Sequence, residues 1–133
     1  MKTNNNFLII DDDETSTMLY SLILKIALGD KIEVQSFNLP NEGINFIKNK
    51  FENLDPSSKT ILFLDINMPV LMGWDVLDII EKMDDDIKKQ LIIFMLSSSI
   101  DPNDKKRVID HPLVTNFIEK PLTIEKIHSL QIF

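Results

Sequence analysis

The chain has no cysteine, which excludes disulfides and thiolate metal sites. Its only histidines, His111 and His128, are isolated from other ligand types. Both read as surface or packing residues, not as metal ligands or phosphohistidines. No apolar stretch approaches the roughly 20 residues of a membrane helix. No signal peptide is expected either. Met1 to Asn6 is polar, and the apolar run Phe7 to Ile10 is too short for a signal-peptide core. The expected location is therefore the cytoplasm. Positive charge is scarce: 14 Lys and Arg face 21 Asp and Glu, a net charge of −7. That balance argues against nucleic acid as a partner and leaves room for a cation ligand. No internal repeat, low-complexity segment or linker divides the chain. Its 133 residues, 44% apolar and 26% charged, suit one globular domain with a proper core.

What is present is organised around Ile61-Leu62-Phe63-Leu64-Asp65-Ile66-Asn67-Met68-Pro69. Its opening apolar run reads as a strand buried on both faces, and Pro69 and Gly73 mark the turn after it. Phe7 to Ile10 is a similar run and ends in Asp11-Asp12-Asp13-Glu14. A helix follows. Met18, Leu22 and Ile26 lie on one stripe, with Leu19, Ile23 and Ala27 beside it, and Gly29 is its expected stop. Ile32 to Phe37 alternates and reads as an edge strand. Pro40 opens a second helix with Ile44, Ile47 and Phe51 inward. Asn53 to Lys59 is a loop. A third helix carries Val76, Leu77, Ile80 and Met83, and Asp84-Asp85-Asp86 reads as a solvated turn and helix start. Leu91 to Leu96 is the longest apolar run and ends in Ser97-Ser98-Ser99. A short polar helix runs from Asp101-Pro102 to about Asp110. Val114 to Ile118 is a fifth strand, ending at Glu119-Lys120-Pro121, and a last helix uses Ile124, Ile127 and Leu130. Met18, Met83 and Met95 are expected in the core.

Strand and helix thus alternate five times. The expected architecture is α/β: a flavodoxin-like, doubly wound, five-stranded parallel sheet in the order 2-1-3-4-5, with helices on both faces. In that order the strand ends bring Asp11, Asp12, Asp65, Ser97 and Lys120 to one edge, where such sheets bind ligands. Two unit charges about 4 Å apart repel by roughly 4 kcal/mol at an effective dielectric of 20, so three carboxylates there call for a cation. An all-oxygen donor set points to Mg2+. A lysine and a hydroxyl beside it suit phosphoryl oxygens, and an Asp can be the nucleophile that forms an acyl phosphate. Asn67, two residues after Asp65, cannot transfer a proton. A phosphoryl group on Asp65 should therefore persist, which suits a signal better than a turnover catalyst.

These residues resemble the receiver domain of two-component response regulators, in length the single-domain, chemotaxis-regulator type. The resemblance spans about residues 7–130 and implies one receiver domain over 1–133 with no output domain. It makes Asp65 the phosphoacceptor. Asp12 and Asp65 would ligate Mg2+ through their side chains and Asn67 through its backbone carbonyl. Asp11 completes the acidic pair, acting through water. Ser97 is the implied switch hydroxyl, Phe117 the implied switch aromatic, and Lys120 the partner of the phosphoryl oxygens, with a cis Lys120-Pro121 bond. Asn67 and Ser99 occupy positions that tune dephosphorylation in the family. The implied partners are a sensor histidine kinase or histidine phosphotransfer protein, and a downstream protein. The signal would leave by the face of the fourth helix, fifth strand and fifth helix, which also pairs homodimers in this family. Where the family usually has Pro-x-Met-Asp-Gly, this chain has Pro69-Val70-Leu71-Met72-Gly73, and Phe117 stands where Tyr is common.

Two other functions fit parts of the pattern. A haloacid-dehalogenase-type phosphohydrolase also uses a strand-end Asp with Mg2+, but it wants a second Asp where this chain has Asn67. A phosphorylation-independent interaction module on a receiver scaffold would usually have lost the Asp, the acidic pair or the Lys, and all are present. The expectation is a signalling phosphoacceptor and not an enzyme.

Overall fold

The computed structural model describes residues 5–52, 54–55, 57–98 and 101–130. Its elements, in order, are β1 (Asn6–Ile10), α1 (Glu14–Leu28), β2 (Glu33–Phe37), α2 (Pro40–Phe51), β3 (Thr60–Asp65), α3 (Gly73–Glu81), α4 (Asp85–Lys88), β4 (Leu91–Ser97), α5 (Pro102–Asp110), β5 (Val114–Glu119) and α6 (Ile124–Ser129). The strands form one parallel sheet in the order β2-β1-β3-β4-β5, as the alternation predicts.

The pleat sends alternate residues of each central strand to opposite faces. Phe7 and Ile9, Ile61 and Phe63, and Phe94 and Leu96 face one side, where they pack with Tyr20 and Leu24 of α1 and Ile127 of α6. Leu8 and Ile10, Leu62 and Leu64, and Ile93 and Met95 face the other. There they meet the buried residues of α2, α3, α4 and α5, including Ile47, Leu77, Ile87 and Val108. Every residue of β3 is buried, which is why its sequence is a run and not an alternation. Phe63 stacks on Phe7 at 6.4 Å and on Phe94 at 5.8 Å between ring centroids. That row joins β1, β3 and β4 and keeps their ends level at the functional edge.

Three expectations are corrected. Met18 is not a core residue: it is 68% exposed, and Leu19, Leu22 and Ile26 are exposed with it. The inner face of α1 is instead Thr17, Tyr20 and Leu24. The helix begins just after Asp13, whose carboxylate accepts the Thr15 and Ser16 amides. That start turns Thr17, Tyr20 and Leu24 to the sheet. Second, there are six helices among the described residues and not five, because Asp84-Asp85-Asp86 opens the one-turn α4, held by buried Ile87. The "fourth" and "fifth" helices of the sequence reading are therefore α5 and α6. Third, Met83 lies beyond the end of α3 and is only half-buried against the core. Met95 is fully buried. Ser99 lies outside the described residues.

His111 is the cap residue of α5 and lies 4.0 Å from Glu81. His128 Nε2 is 3.0 Å from the Ala27 carbonyl, which joins α6 to α1. The Lys120-Pro121 bond is cis.

Gly73 starts α3 against the backbone of β3's end. A Cβ there would overlap the Asp65 carbonyl oxygen and lie 2.9 Å from the Ile66 Cα. At Gly43 a Cβ would press on the Ile10 side chain, 2.6 Å from Cδ1 and 2.8 Å from Cγ1, and make ordinary contact with the Phe37 Cβ at 3.6 Å. Backbone gives less readily than a side-chain tip. Gly73→Ala is expected to lower unfolding free energy by about 2–3 kcal/mol and Gly43→Ala by about 1 kcal/mol. Urea denaturation checks the order, and a larger loss at Gly43 would refute it.

Candidate functional site

The C-terminal ends of β1, β3, β4 and β5 deliver the polar residues to one edge. Each strand ends because its apolar run stops, and the next residue emerges where sheet hydrogen bonding gives way to a loop. Cross-strand bonds continue past the runs. The Asp11 amide donates to the Phe37 carbonyl at 3.1 Å, that of Ile66 to Leu96 at 2.9 Å, and that of Lys120 to Ser97 at 2.9 Å. Asp11, Asp65 and Ser97 are therefore fixed by backbone on adjacent strands, and all three are buried.

Lys120 crosses from β5's end to both buried carboxylates. Its Nζ is 2.7 Å from Asp11 Oδ2 and 3.4 Å from Asp65 Oδ1. Asp11 Oδ2 receives no donor at a hydrogen-bonding angle, yet at 2.7 Å the ammonium charge attracts it regardless of angle. Asp11 Oδ1 accepts the Asp13 amide at 2.9 Å. Burial pulls the Lys120 ammonium toward neutrality, but Asp11 and Asp65 outweigh it and hold the pKa above its usual value. Asp65 behaves oppositely. Burial, and then the charge of Asp11, push its pKa from 3.8 up to about 6, against Lys120 and a backbone hydrogen bond from Asn67.

Asp12 is exposed at the mouth. One carboxylate oxygen from each of Asp11, Asp12 and Asp65 lies within 4.8 Å of the others. This all-oxygen set suits a hard divalent cation. Asn67 Nδ2 donates to Ser97 Oγ at 3.3 Å, which places the hydroxyl beside Asp65's loop. The structure thus brings Asp11, Asp12, Asp65, Asn67, Ser97 and Lys120 together. Phe117 stands apart on β5, half-buried, with Lys105 Nζ of α5 6.0 Å from its ring centre.

Met72, at the position of the family's usual Asp, sits at the start of α3, and its amide donates to Asp75 Oδ2 at 3.0 Å. A carboxylate one turn further on therefore meets the helix start. The sequence reading missed Asn38, whose amide reaches the Asp11 carbonyl at 2.9 Å and Thr17 Oγ1 at 3.1 Å. It is the polar residue directly after β2. Applying the strand-end rule to the edge strand as well would have found it.

The Asp65 shift has a stability consequence. Between about pH 4 and pH 6 the folded chain holds a proton on Asp65 that the unfolded chain has released. Stability therefore falls as pH rises through that window, and the full cost persists above it. Without Mg2+, Asp65→Asn should raise unfolding free energy at pH 7.5 by about 1–3 kcal/mol. The gain should vanish near pH 4. Thermal melts at both pH values check this, and a gain equal at both would refute it.

The family model for the response regulator receiver domain matches residues 7–131. A two-component response regulator from Cytophaga hutchinsonii is 29% identical, with 96% of this chain and 93% of that chain covered and a TM-score of 0.83. A response regulator receiver protein from Dyadobacter fermentans is 21% identical (94% and 93% covered, TM-score 0.82). The Vibrio cholerae chemotaxis protein CheY4 is also 21% identical (95% and 94% covered, TM-score 0.68) and shares the fold. Comparison with curated protein sequences finds no match. No described helix is long and apolar enough to cross a membrane. With five parallel strands in the order 2-1-3-4-5, an acidic cluster at their ends and a family match across nearly its whole length, this chain belongs to the response regulator receiver domains of two-component systems.

Proposed function

We propose that the chain is a phosphoacceptor receiver in a His-to-Asp relay, with Asp65 as the residue that takes the phosphoryl group. The observation that carries this reading is the Lys120 ammonium 2.7 Å from Asp11 and 3.4 Å from Asp65, beside a three-carboxylate cluster. Asp12 and Asp65 would hold Mg2+ with the Asn67 carbonyl, and Asp11 would act through a bound water. That ion supplies neutralisation of charge on the phosphoryl oxygens. An Asp65 oxygen attacks phosphorus, the bond to the donor's imidazole nitrogen breaks, and the imidazole leaves with that electron pair. Lys120 pairs with a phosphoryl oxygen, and Ser97 donates to another. No second carboxylate stands where Asn67 is, so water is not activated there and the product lasts. This favours a signalling protein over a hydrolase. The retained acidic set favours phosphorylation over a phosphorylation-independent module.

The new group carries about −1.5 to −2 charges. In this reading Ser97 moves toward it, Phe117 turns into the space left, and the α5–β5–α6 face changes. Val108 is the one buried side chain of α5, so that helix has little apolar anchorage to resist a shift.

The partner reading rests on α1. The helix begins two residues after Asp12 and exposes Met18, Leu22 and Ile26 in a stripe. A donor histidine must come to the mouth of the site, and the helix bearing it would cover this stripe.

Intact-protein mass after incubation with acetyl phosphate should show a Mg2+-dependent gain of one phosphoryl group, absent in Asp65→Asn. No gain, with no binding of beryllofluoride either, would overturn the phosphoacceptor reading. Leu22→Glu should slow transfer from a protein phosphodonor by about tenfold, or 1.4 kcal/mol, while acetyl phosphate labelling is unchanged. Equal slowing with both donors would sink the docking assignment.

A further inference from the structure

The Asp12 carboxylate sits at the mouth of the acidic site with no hydrogen bond or ion pair of its own among the described residues. Its reach is therefore set by the backbone that carries it, which fixes the point from which its rotamers extend. That backbone is pinned on both sides. On the C-terminal side, the Asp13 amide donates to Asp11 Oδ1 at 2.9 Å, and the Asp13 carboxylate caps α1. On the N-terminal side, Asn38 Nδ2 donates to the Asp11 carbonyl at 2.9 Å. That carbonyl belongs to the peptide unit joining Asp11 to Asp12, so its orientation controls the φ of Asp12. Asn38 itself is anchored. The same Nδ2 donates at 3.1 Å to Thr17 Oγ1, which is buried and donates onward to the Glu14 carbonyl at 2.9 Å. The chain of bonds runs from the end of β2, through Asn38, to both the metal-side loop and the first turn of α1.

The structure assigns Asn38 as a positioning residue for the divalent-cation site: it holds the Asp11–Asp12 peptide so that the Asp12 carboxylate faces Asp65. This rests on the receiver reading above. Asn38 touches neither carboxylate and is not a ligand; it acts through the peptide plane. A hydrophobic residue of similar size would fill the space and leave the peptide free to rotate. Partners that orient ligands in this way typically contribute about 10–100-fold in metal affinity.

The test uses Mn2+ as the probe, with free ion read by electron paramagnetic resonance on the full chain, far below its melting midpoint. The unsubstituted protein should bind one ion, and Asp12→Asn should lose it. That comparison tests the receiver reading. Asn38→Ala should then raise the Mn2+ dissociation constant by about tenfold or more, although the protein is fully folded by circular dichroism. Thr17→Val, which leaves the amide-to-carbonyl bond in place, should raise it by less. Asn38→Ser, whose shorter side chain cannot span both acceptors, gives the same comparison if Asn38→Ala fails to fold. A merely structural Asn38 would lower the melting midpoint in EDTA and leave the dissociation constant within about twofold, and that result would overturn the inference. Failure of the unsubstituted protein to bind Mn2+ would overturn it too, together with the receiver reading.

Discussion

The Lys120 ammonium, held between the buried carboxylates of Asp11 and Asp65, is the contact on which the arrangement depends. Two such carboxylates would repel by roughly 4 kcal/mol at 4 Å and a dielectric of 20, before any loss of hydration is counted. Lys120 offsets part of this, while burial first and the Asp11 charge second keep the Asp65 pKa raised. The ammonium reaches them only because β5 is beside β4 and its backbone is tied to Ser97. The sheet's strand order is thus an electrostatic requirement as much as a packing result.

The core does the positioning. The phenylalanine row across β1, β3 and β4 sets those strands level, so their polar ends fall together. Gly73 lets α3 start directly against the Asp65 carbonyl, which closes the loop over the site. Burial then has two effects. It stabilises the fold through apolar area, and it raises the free energy of an ionised Asp65. A site that is poorly satisfied alone is one that a cation and a phosphoryl group can complete. In the proposed function, stability and phosphoacceptor chemistry oppose each other at this one carboxylate.

Different parts of the chain were legible to different degrees. Strands buried on both faces read plainly, because Ile61 to Leu64 and Leu91 to Leu96 have no polar residue to set a competing period. The residues after them, Asp11, Asp65, Ser97 and Lys120, read as a group once the alternation was counted. α1 did not. Its apolar residues cover more than one stripe, so periodicity alone could not choose between Met18, Leu22 and Ile26 and the true inner face of Thr17, Tyr20 and Leu24. The cap at Asp13 and the sheet made that choice. Helix α4 was legible only as an acidic helix start at Asp84-Asp85-Asp86, since its single turn is shorter than any window that shows a period. Asn38 was legible as the polar residue that follows β2, but its partner was not, since it lies 27 residues away along the chain.

By itself the sequence determined the element order, the parallel sheet and the set of residues at its working edge. Those follow from local patterns: apolar runs, their lengths and what ends them. Only the tertiary structure decided which face of α1 is buried, which carboxylate the lysine reaches first, and which groups Asn38 joins. These depend on distances between segments far apart in sequence, and no local period encodes them. The exposed stripe of α1 and the Asn38 tether both arise at that level, where two strands and a helix start meet and their polar groups must be satisfied together.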